Sequence, residues 1–422
     1  MIRIGLFGAG TVGSGLIKIL KENNFPIEVA GVVDKKYKEL SGLLGDIAAS
    51  DDGDALLNDD SVNVIVELMG GVGYSYEVIK KALEKGKSVV TANKHLLAKH
   101  GKELFSLAYK NNLHIGFEAA VAGAIPIIHN LRTILADDKI SLVEGILNGT
   151  SNYLLTKIRL EEISYEKALK EAQQMGLAEA DPTLDVNGYD ACHKLALLFY
   201  VITGEWIDYT DIYTLGIEDI KLSDILWAKS MNYHIKLVAS FKKEDEKNYL
   251  SVEPMMLSKD HYLHDIEFEN NAVLLQAKYS GVHLFMGKGA GSLPTAYSVL
   301  ADILNFGRLH NENSKPEIKE IKPAKINPIS ERFQSFYLRL MLADKPKVLA
   351  KIAAVLGDKN ISIASVKQNL DQKPNEDHVV EVMIITHQCH KHELDSAVLE
   401  LENLSDIVKE KPVFLPIDNY PS

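Results

Sequence analysis

A run of three glycines set between a strand and a helix constrains this chain more than any other feature. Residues 2–7 read as a short buried strand, Gly8-Ala9-Gly10-Thr11-Val12-Gly13 follows at once, and Leu16, Ile17, Ile19 and Leu20 continue at helical spacing. In that context the glycine pattern points to a dinucleotide-binding unit. Gly8 permits the tight turn, Gly10 lets a pyrophosphate approach the backbone, and Gly13 allows close helix packing, with the phosphates at the positive end of the helix. Thr11 and Val12 lie inside the same turn and belong to the same cofactor-binding stretch. A second strand, 28–33, ends in Asp34, near the roughly 20-residue offset of a ribose-binding acid. Asp34 favours NAD. Lys35 and Lys36 follow it and would pair with a 2'-phosphate, so NADP stays open, and a solvated turn accounts for the two lysines equally well.

The middle of the chain carries a second unusual segment. Glu179-Ala180-Asp181-Pro182 is followed by Asp185, Asp190 and Lys194, and then by the apolar run Leu195, Ala196, Leu197, Leu198, Phe199, Tyr200, Val201 and Ile202. A helix apolar on all sides belongs in an interior. Asp190 and Lys194 stand at i and i+4 on one of its faces, which puts a carboxylate and an ammonium at the edge of a buried region. Alone, the pair reads first as a salt bridge capping a core helix. Beside a dinucleotide site it reads as a proton-transfer pair.

A length of 422 residues predicts two or three domains. From 1 to 135, β-branched runs at 64–68, 88–91 and 114–117 alternate with helical segments at 75–85 and 96–110, the α/β pattern of a Rossmann-type parallel sheet. From 136 to 310 the texture becomes α+β, as in a substrate-binding and oligomerisation domain: strand-like runs at 142–147, 235–241, 250–257, 272–279 and 282–285, with long helices around the acidic segment. Gly287-Lys288-Gly289-Ala290-Gly291 precedes Pro294, which suits the first turn of a helix over 295–304. That glycine loop either approaches the cofactor or merely turns, and 287–310 complete the first domain. Residues 311–332, charged and carrying Pro316, Pro323 and Pro328, read as a linker. Beyond it, strand 333–342, helix 347–356, strands 361–370 and 378–386, helix 392–401 and strand 406–414 give the ferredoxin-like βαββαβ order, in a domain covering 333–422.

A net charge of −12 without a basic patch argues against nucleic acid or an anionic membrane as partner. No apolar run approaches the roughly 20 residues of a bilayer span, and no signal peptide is expected. The two cysteines, Cys192 and Cys389, suggest neither a disulfide framework nor a zinc site, and fit a reducing cytoplasm.

Six stretches together resemble one family. GAGTVG from Gly8, VVTANK ending at Lys94, FEAAVAGAIP from Phe117, NGTSNY from Asn148, GLAEADPTLDVNGYDACHK from Gly176 and GKGAGSLPTA from Gly287 are similar to the homoserine dehydrogenases. The likeness is to the monofunctional type with a C-terminal ACT domain and covers essentially the whole chain. It implies NAD- or NADP-dependent interconversion of L-homoserine and L-aspartate 4-semialdehyde, on the way to threonine, methionine and isoleucine, by a homodimer or homotetramer. It implies that Glu179 and Asp190 hold the amino acid, with Gly149 and Thr150 in the substrate site, and that Lys194 gives the proton to the aldehyde oxygen. Thr91 and Lys94 would lie beside the nicotinamide, and Gly291 would close over the cofactor. The resemblance also implies a sodium site at Glu118, Val121, Gly123 and Ile125, built mainly of backbone oxygens. From spacing alone that stretch reads as a strand end turning into a helix. With no kinase portion ahead of the first strand, the bifunctional type is not expected.

The chemistry suits these residue types. Reducing an aldehyde needs a hydride and a proton for the developing alkoxide, and an ammonium supplies both the proton and charge stabilisation. Lysine at its reference pKa of about 10.4 is a poor base for the reverse step. Asp190 would raise that value further, so it is expected to serve the substrate ammonium more than to tune Lys194. Two departures matter. Lys347 stands where ligand-binding ACT domains usually carry glycine, which argues against feedback by an amino-acid effector such as threonine, and the short connection 22–27 weakens any inference about cofactor preference. One alternative, an aspartate-semialdehyde dehydrogenase, needs a nucleophilic cysteine, and Cys192 sits inside the predicted helix. Another, a catalytically silent NAD-binding sensor, has no need of Glu179, Asp190 and Lys194 together.

Overall fold

The computed structural model describes residues 1–311, 320–368 and 379–418. Pro316 of the expected linker, residues 369–370 and His378 of two expected strands, and 419–422 lie outside the described residues. Internal contacts divide the chain into two units. Met1–Gly149, Tyr189–Ile212 and Glu269–Ala324 make the first; Thr150–Gly188, Tyr213–Phe268 and everything from Lys325 onward make the second. The span 136–310, read as one domain in the sequence, is thereby shared between both.

The first unit holds a parallel sheet in the order β3-β2-β1-β4-β5-β6, with β1 Ile2–Phe7, β2 Ile27–Val33, β3 Ala49–Ser50, β4 Val64–Glu67, β5 Ser88–Thr91 and β6 Ile115–Gly116. The strands are near-continuous apolar runs because the sheet is covered on both faces, and Ile4, Leu6, Val64 and Val66 are wholly buried. β1 lies between β2 and β4, so the strand order reverses beside its carboxyl end, where open α/β sheets take their ligands. The helix Thr11–Glu22 adds Leu16 and Ile17 to this core, and the helix Ser292–Asn311 adds Ala296, Val299, Leu300 and Ile303. The same unit contains three antiparallel strands, with Asn270–Ala277 between Ile140–Ile146 and Gly281–Lys288. Along Gly281–Lys288 the burial alternates, leaving Val282, Leu284 and Met286 exposed on one face. In the helix Tyr189–Thr203, every residue from Asp190 to Tyr200 is buried, as its all-round apolar run requires.

In the second unit the hairpin Tyr233–Glu244 and Lys247–Ser258 begins a sheet. It continues through Val413–Asp418, Phe333–Ala343, Val379–Thr386 and Ile363–Gln368, so the C-terminal βαββαβ segment shares the hairpin's sheet. Its helices Val348–Asp358 and Lys391–Glu402 pack Ile352, Leu356, Leu394 and Leu401 against Leu338, Leu340, Val382 and Ile384. The last strand runs over Val413–Asp418 instead of the expected 406–414. Ile407 is buried at the end of a turn and Val408 in an isolated antiparallel bridge to Leu342, both N–H groups donating to the Leu404 carbonyl at 2.8 Å, while Lys409, Glu410 and Lys411 stay exposed. Pro412 then removes a ladder donor directly before the strand. Among the described residues no helix is long and apolar enough to cross a membrane.

Candidate active site

The glycine turn leaves the carboxyl end of β1. Gly8 has φ +94°, and a Cβ there would lie 2.7 Å from the Leu68 backbone; a Cβ at Gly13 would lie 2.1 Å from the Gly8 carbonyl oxygen. Around Gly10 nothing lies within 4 Å of a built Cβ, so this backbone faces open space as a phosphate cradle must. Thr11, exposed, opens the helix, and Val12 packs against the sheet's core. Asp34, at the end of β2, accepts from the Ala9 N–H at 2.8 Å and the Lys36 N–H at 2.8 Å, which ties the acid to the turn while Lys35 stays exposed. The second glycine loop reaches the same place: the hydroxyl of Ser292, which follows Gly291 (φ +130°), donates to the Thr11 carbonyl at 2.7 Å.

Next to β1 in the sheet, the ends of β4 and β5 are locked together. The buried Thr91 hydroxyl donates to Glu67 at 2.7 Å and accepts from the Asn93 N–H at 3.0 Å. The other Glu67 oxygen accepts from the Met69 and Gly70 N–H groups at 2.8 and 3.2 Å. Asn93 caps the helix Lys94–Lys110, its side chain accepting from the Leu96 N–H. That cap sets Lys94, the first helical residue, which reaches Asp190 Oδ1 at 2.9 Å. Asp190 Oδ2 accepts from Lys194 Nζ at 2.6 Å and from Asn148 Nδ2 at 2.9 Å. Lys194 Nζ also donates to the Leu147 carbonyl at 2.6 Å, and Asn271 Nδ2 donates to the same oxygen at 2.8 Å.

Burial works to raise the Asp190 pKa, but Lys194 and Lys94 outweigh it and hold this carboxyl well below the usual range. The result is one ionised carboxylate joined to two lysines, with Asp190 and Lys194 only 8% and 9% exposed at their side chains and Lys94 38% exposed. The neighbouring His193 stacks on His95 with ring centroids 4.8 Å apart and meets Tyr209 edge-on at 4.6 Å. Burial, helped by His95, lowers its pKa to about 4, so it is neutral at pH 7.

This geometry adds to the expected part of Asp190. Both its oxygens already accept from Lys94, Lys194 and Asn148, so it holds the two lysines in place. Glu179 belongs to the second unit and is exposed, its backbone carbonyl accepting from Gln173 at 3.1 Å. Gly149 opens the helix Gly149–Glu161, where a Cβ would come within 2.9 Å of the Glu269 carbonyl oxygen, and the Thr150 hydroxyl donates to the Leu177 carbonyl at 2.9 Å. The Glu118 carboxylate accepts from the Ile128 and His129 N–H groups at 2.8 and 2.7 Å. Ala122 and Gly123 both take left-handed φ and curl the loop. Gly123 O accepts from Ser298 at 2.8 Å and Ile125 O from the Ile127 N–H at 2.8 Å, and each carbonyl keeps a second lone pair.

Sequence reasoning gave no part to Glu67, Asn148, the Leu147 carbonyl or Asn271. Asn148 heads the NGTSNY stretch and so carried a signal; Asn271 is one asparagine of a pair in an apolar strand and carried none. Neither cysteine is placed to be a nucleophile: Cys192 is buried with its sulfur 3.3 Å from the Tyr209 carbonyl, and burial pushes the Cys389 thiol up to about 11.

A parallel sheet with a glycine cradle at its switch point takes a dinucleotide, and a buried lysine held by a carboxylate in the same unit can handle the proton that accompanies hydride transfer. That combination defines a nicotinamide-dependent dehydrogenase. Comparison with known proteins narrows the class. The family description "Homoserine dehydrogenase, NAD binding domain" matches residues 8–118, "Homoserine dehydrogenase" matches 126–304 and "ACT domain" matches 336–406. The homoserine dehydrogenase of Neisseria gonorrhoeae is 36% identical over 429 residues, covering 98% of this chain and 97% of that protein. A crystal structure of a homoserine dehydrogenase from Thiobacillus denitrificans has a TM-score of 0.93 at 33% identity, covering 99% of this chain and 98% of that one. A hyperthermophilic archaeal homoserine dehydrogenase in complex with NADPH has a TM-score of 0.63 at 30% identity, covering 73% of this chain and 98% of that one. The chain belongs to the homoserine dehydrogenase family.

Proposed function

We propose that the first unit catalyses the reversible oxidation of L-homoserine to L-aspartate 4-semialdehyde with NAD or NADP. The observation that carries this reading is the buried Lys194, fixed between Asp190 and the Leu147 carbonyl with Lys94 on the same carboxylate. A bound nicotinamide supplies the hydride acceptor or donor. Gly8, Gly10, Thr11, Val12 and Gly13 would hold the pyrophosphate of the dinucleotide, Asp34 its ribose, and Thr91, Lys94 and Gly291 would border the nicotinamide ring. Lys194 in its neutral form takes the hydroxyl proton during oxidation and, as the ammonium, returns it to the alkoxide during reduction. Two ammonium groups on one carboxylate leave a surplus positive charge, which favours the developing alkoxide. Asp190 keeps both lysines in place, and the family resemblance gives Glu179 a part in holding the substrate ammonium.

Asp34 supports NAD and the exposed Lys35 supports NADP, so the site accepts both. Glu118, Val121, Gly123 and Ile125 would hold Na+ through their carbonyls and stiffen the loop ahead of the helix Ile127–Arg132. The exposed stripe Val282, Leu284 and Met286 favours a homodimer or an assembly of dimers. Two buried free thiols fit a cytoplasmic protein. Absorbance at the nicotinamide band tests the activity: it should rise with L-homoserine and either nucleotide, and stay flat with O-phosphohomoserine or lactate. A flat trace with L-homoserine, or equal rates with lactate, would sink this reading.

A further inference from the structure

A cavity of about 360 Å3 lies inside the first unit, and none of the groups assigned to the dehydrogenase reaction lines it. Its size is that of a small-molecule pocket. Phe105, Tyr109, Tyr200 and Phe306 give it an aromatic wall, and Arg132 and Asp302 bring opposite charges to the same space. Among the described residues no ion pair joins these two; burial and the neighbouring Glu118 raise the Asp302 carboxyl to about 7, and the Arg132 charge works against that rise. In a packing gap of low dielectric they would be drawn together. Instead each is held by a partner of its own on one short stretch of chain. Asp302 accepts from the Glu118 N–H at 2.8 Å and rests on Gly116, where any Cβ would come within 2.8 Å of its side chain. The Arg132 guanidinium lies over the Phe117 ring, 4.6 Å from its centroid. A guanidinium and a carboxyl group lining one cavity with an aromatic wall match a molecule that carries an acid and an amine on one carbon and an apolar group beside them.

We propose that this cavity binds a free α-amino acid with a large apolar side chain, its carboxylate on Arg132, its ammonium on Asp302 and its side chain against the aromatic wall. Occupancy bears on catalysis through two helices. Lys94–Lys110 starts at Lys94 and lines the cavity with Phe105 and Ala108; Tyr189–Thr203 carries Asp190 and Lys194 near one end and lines it with Tyr200 at the other. An occupant therefore touches both helices that hold the lysine–carboxylate cluster, and turnover responds to it.

Calorimetric titration of the full chain, saturated with L-homoserine so that the substrate site is filled, tests this with L-phenylalanine, 3-phenylpropionate and phenethylamine. L-Phenylalanine should bind about tenfold or more tightly than either analogue, the scale of one lost charged hydrogen bond. Asp302→Asn should abolish its advantage over 3-phenylpropionate, and Arg132→Gln its advantage over phenethylamine. Ala108→Phe, which fills the cavity, should remove binding, with folding checked by circular dichroism. No binding of L-phenylalanine at millimolar concentration would overturn the proposal, as would unchanged binding in Ala108→Phe. If that variant failed to fold, equal analogue selectivity in the wild type and in Asp302→Asn would overturn it.

Discussion

The Lys94–Asp190–Lys194 cluster of the first unit and the Asp224–Arg339–Tyr337 cluster of the second are made of similar materials and have opposite characters. In the second, Arg339 Nε lies 2.8 Å from Asp224 Oδ1, the Tyr337 hydroxyl donates to the same oxygen at 2.5 Å, and the Lys221 N–H donates to the other at 2.8 Å. Glu381 stands beside them, one oxygen accepting from Ser223 at 2.8 Å and the other buried without a partner. That group has two acids for one arginine and is closed to solvent, with Asp224 and Tyr337 at 0% exposure. The first has two bases for one acid, and Lys94 keeps a way out to solvent. Burial strengthens both sets of contacts. Only a surplus of proton donors with an exposed member makes such a cluster reactive, and the enclosed one is left to hold the sheet to the helix Leu222–Ser230.

The comparison breaks most sharply on Lys194→Ala. Turnover should fall roughly 100-fold or more, the scale of a lost general acid, with nucleotide binding intact by fluorescence titration. Near-normal turnover at saturating substrate would move the proton to Lys94. Arg339→Met should act on stability alone. Removing one partner of a buried pair costs about 3–5 kcal/mol, to be read from urea unfolding, while activity per folded molecule holds; a loss of activity without a loss of stability would erase the distinction drawn here.

Asp190→Asn sharpens the difference between holding lysines and holding substrate. The carboxylate's contacts predict a turnover loss of about tenfold with KM little changed, whereas Glu179→Ala should raise KM and spare turnover. The reverse pattern would return Asp190 to the substrate. With pH, the clusters should part in sign. His193 has its pKa lowered to about 4 from 6.5, so the unfolded chain binds more protons between those values and stability falls as pH drops from 6.5 to 4. The Glu381 carboxyl is raised by burial, so its contribution is present at low pH and lost as pH rises through the folded value. Glu381→Gln should therefore stabilise at alkaline pH and not in acid; equal effects in both would mean that Glu381 is not the strained group. The smallest effect concerns Lys347, which takes φ 74° at the start of the helix Val348–Asp358. Lys347→Gly should add about 1 kcal/mol by relieving a left-handed residue, a shift visible in thermal unfolding, and millimolar threonine should inhibit the unchanged chain weakly or not at all.

Much of the first cluster was legible in the sequence because it is local. Asp190 and Lys194 are one helical turn apart in an apolar run, and the glycine turn, β2 and Asp34 follow one another closely. What was not legible depends on distance along the chain. Lys94 reaches Asp190 from a different helix, and the Leu147 carbonyl becomes an acceptor only once two remote side chains converge on it. For that reason the three donors on Asp190 could not be read from its neighbours in sequence. The last strand was placed too early because Ile407 and Val408 share their apolar character with strand residues, and only tertiary packing shows them buried at the end of a turn and in an isolated bridge.

The segment order of the first unit has a consequence during synthesis. β1 to β6 have all left the ribosome long before the helix Ser292–Asn311 that covers their core with Ala296, Val299, Leu300 and Ile303. At ~5–20 residues per second, the nascent sheet waits on the order of ten seconds or more with one apolar face bare. A chain stalled or cut anywhere in that interval presents the same bare face.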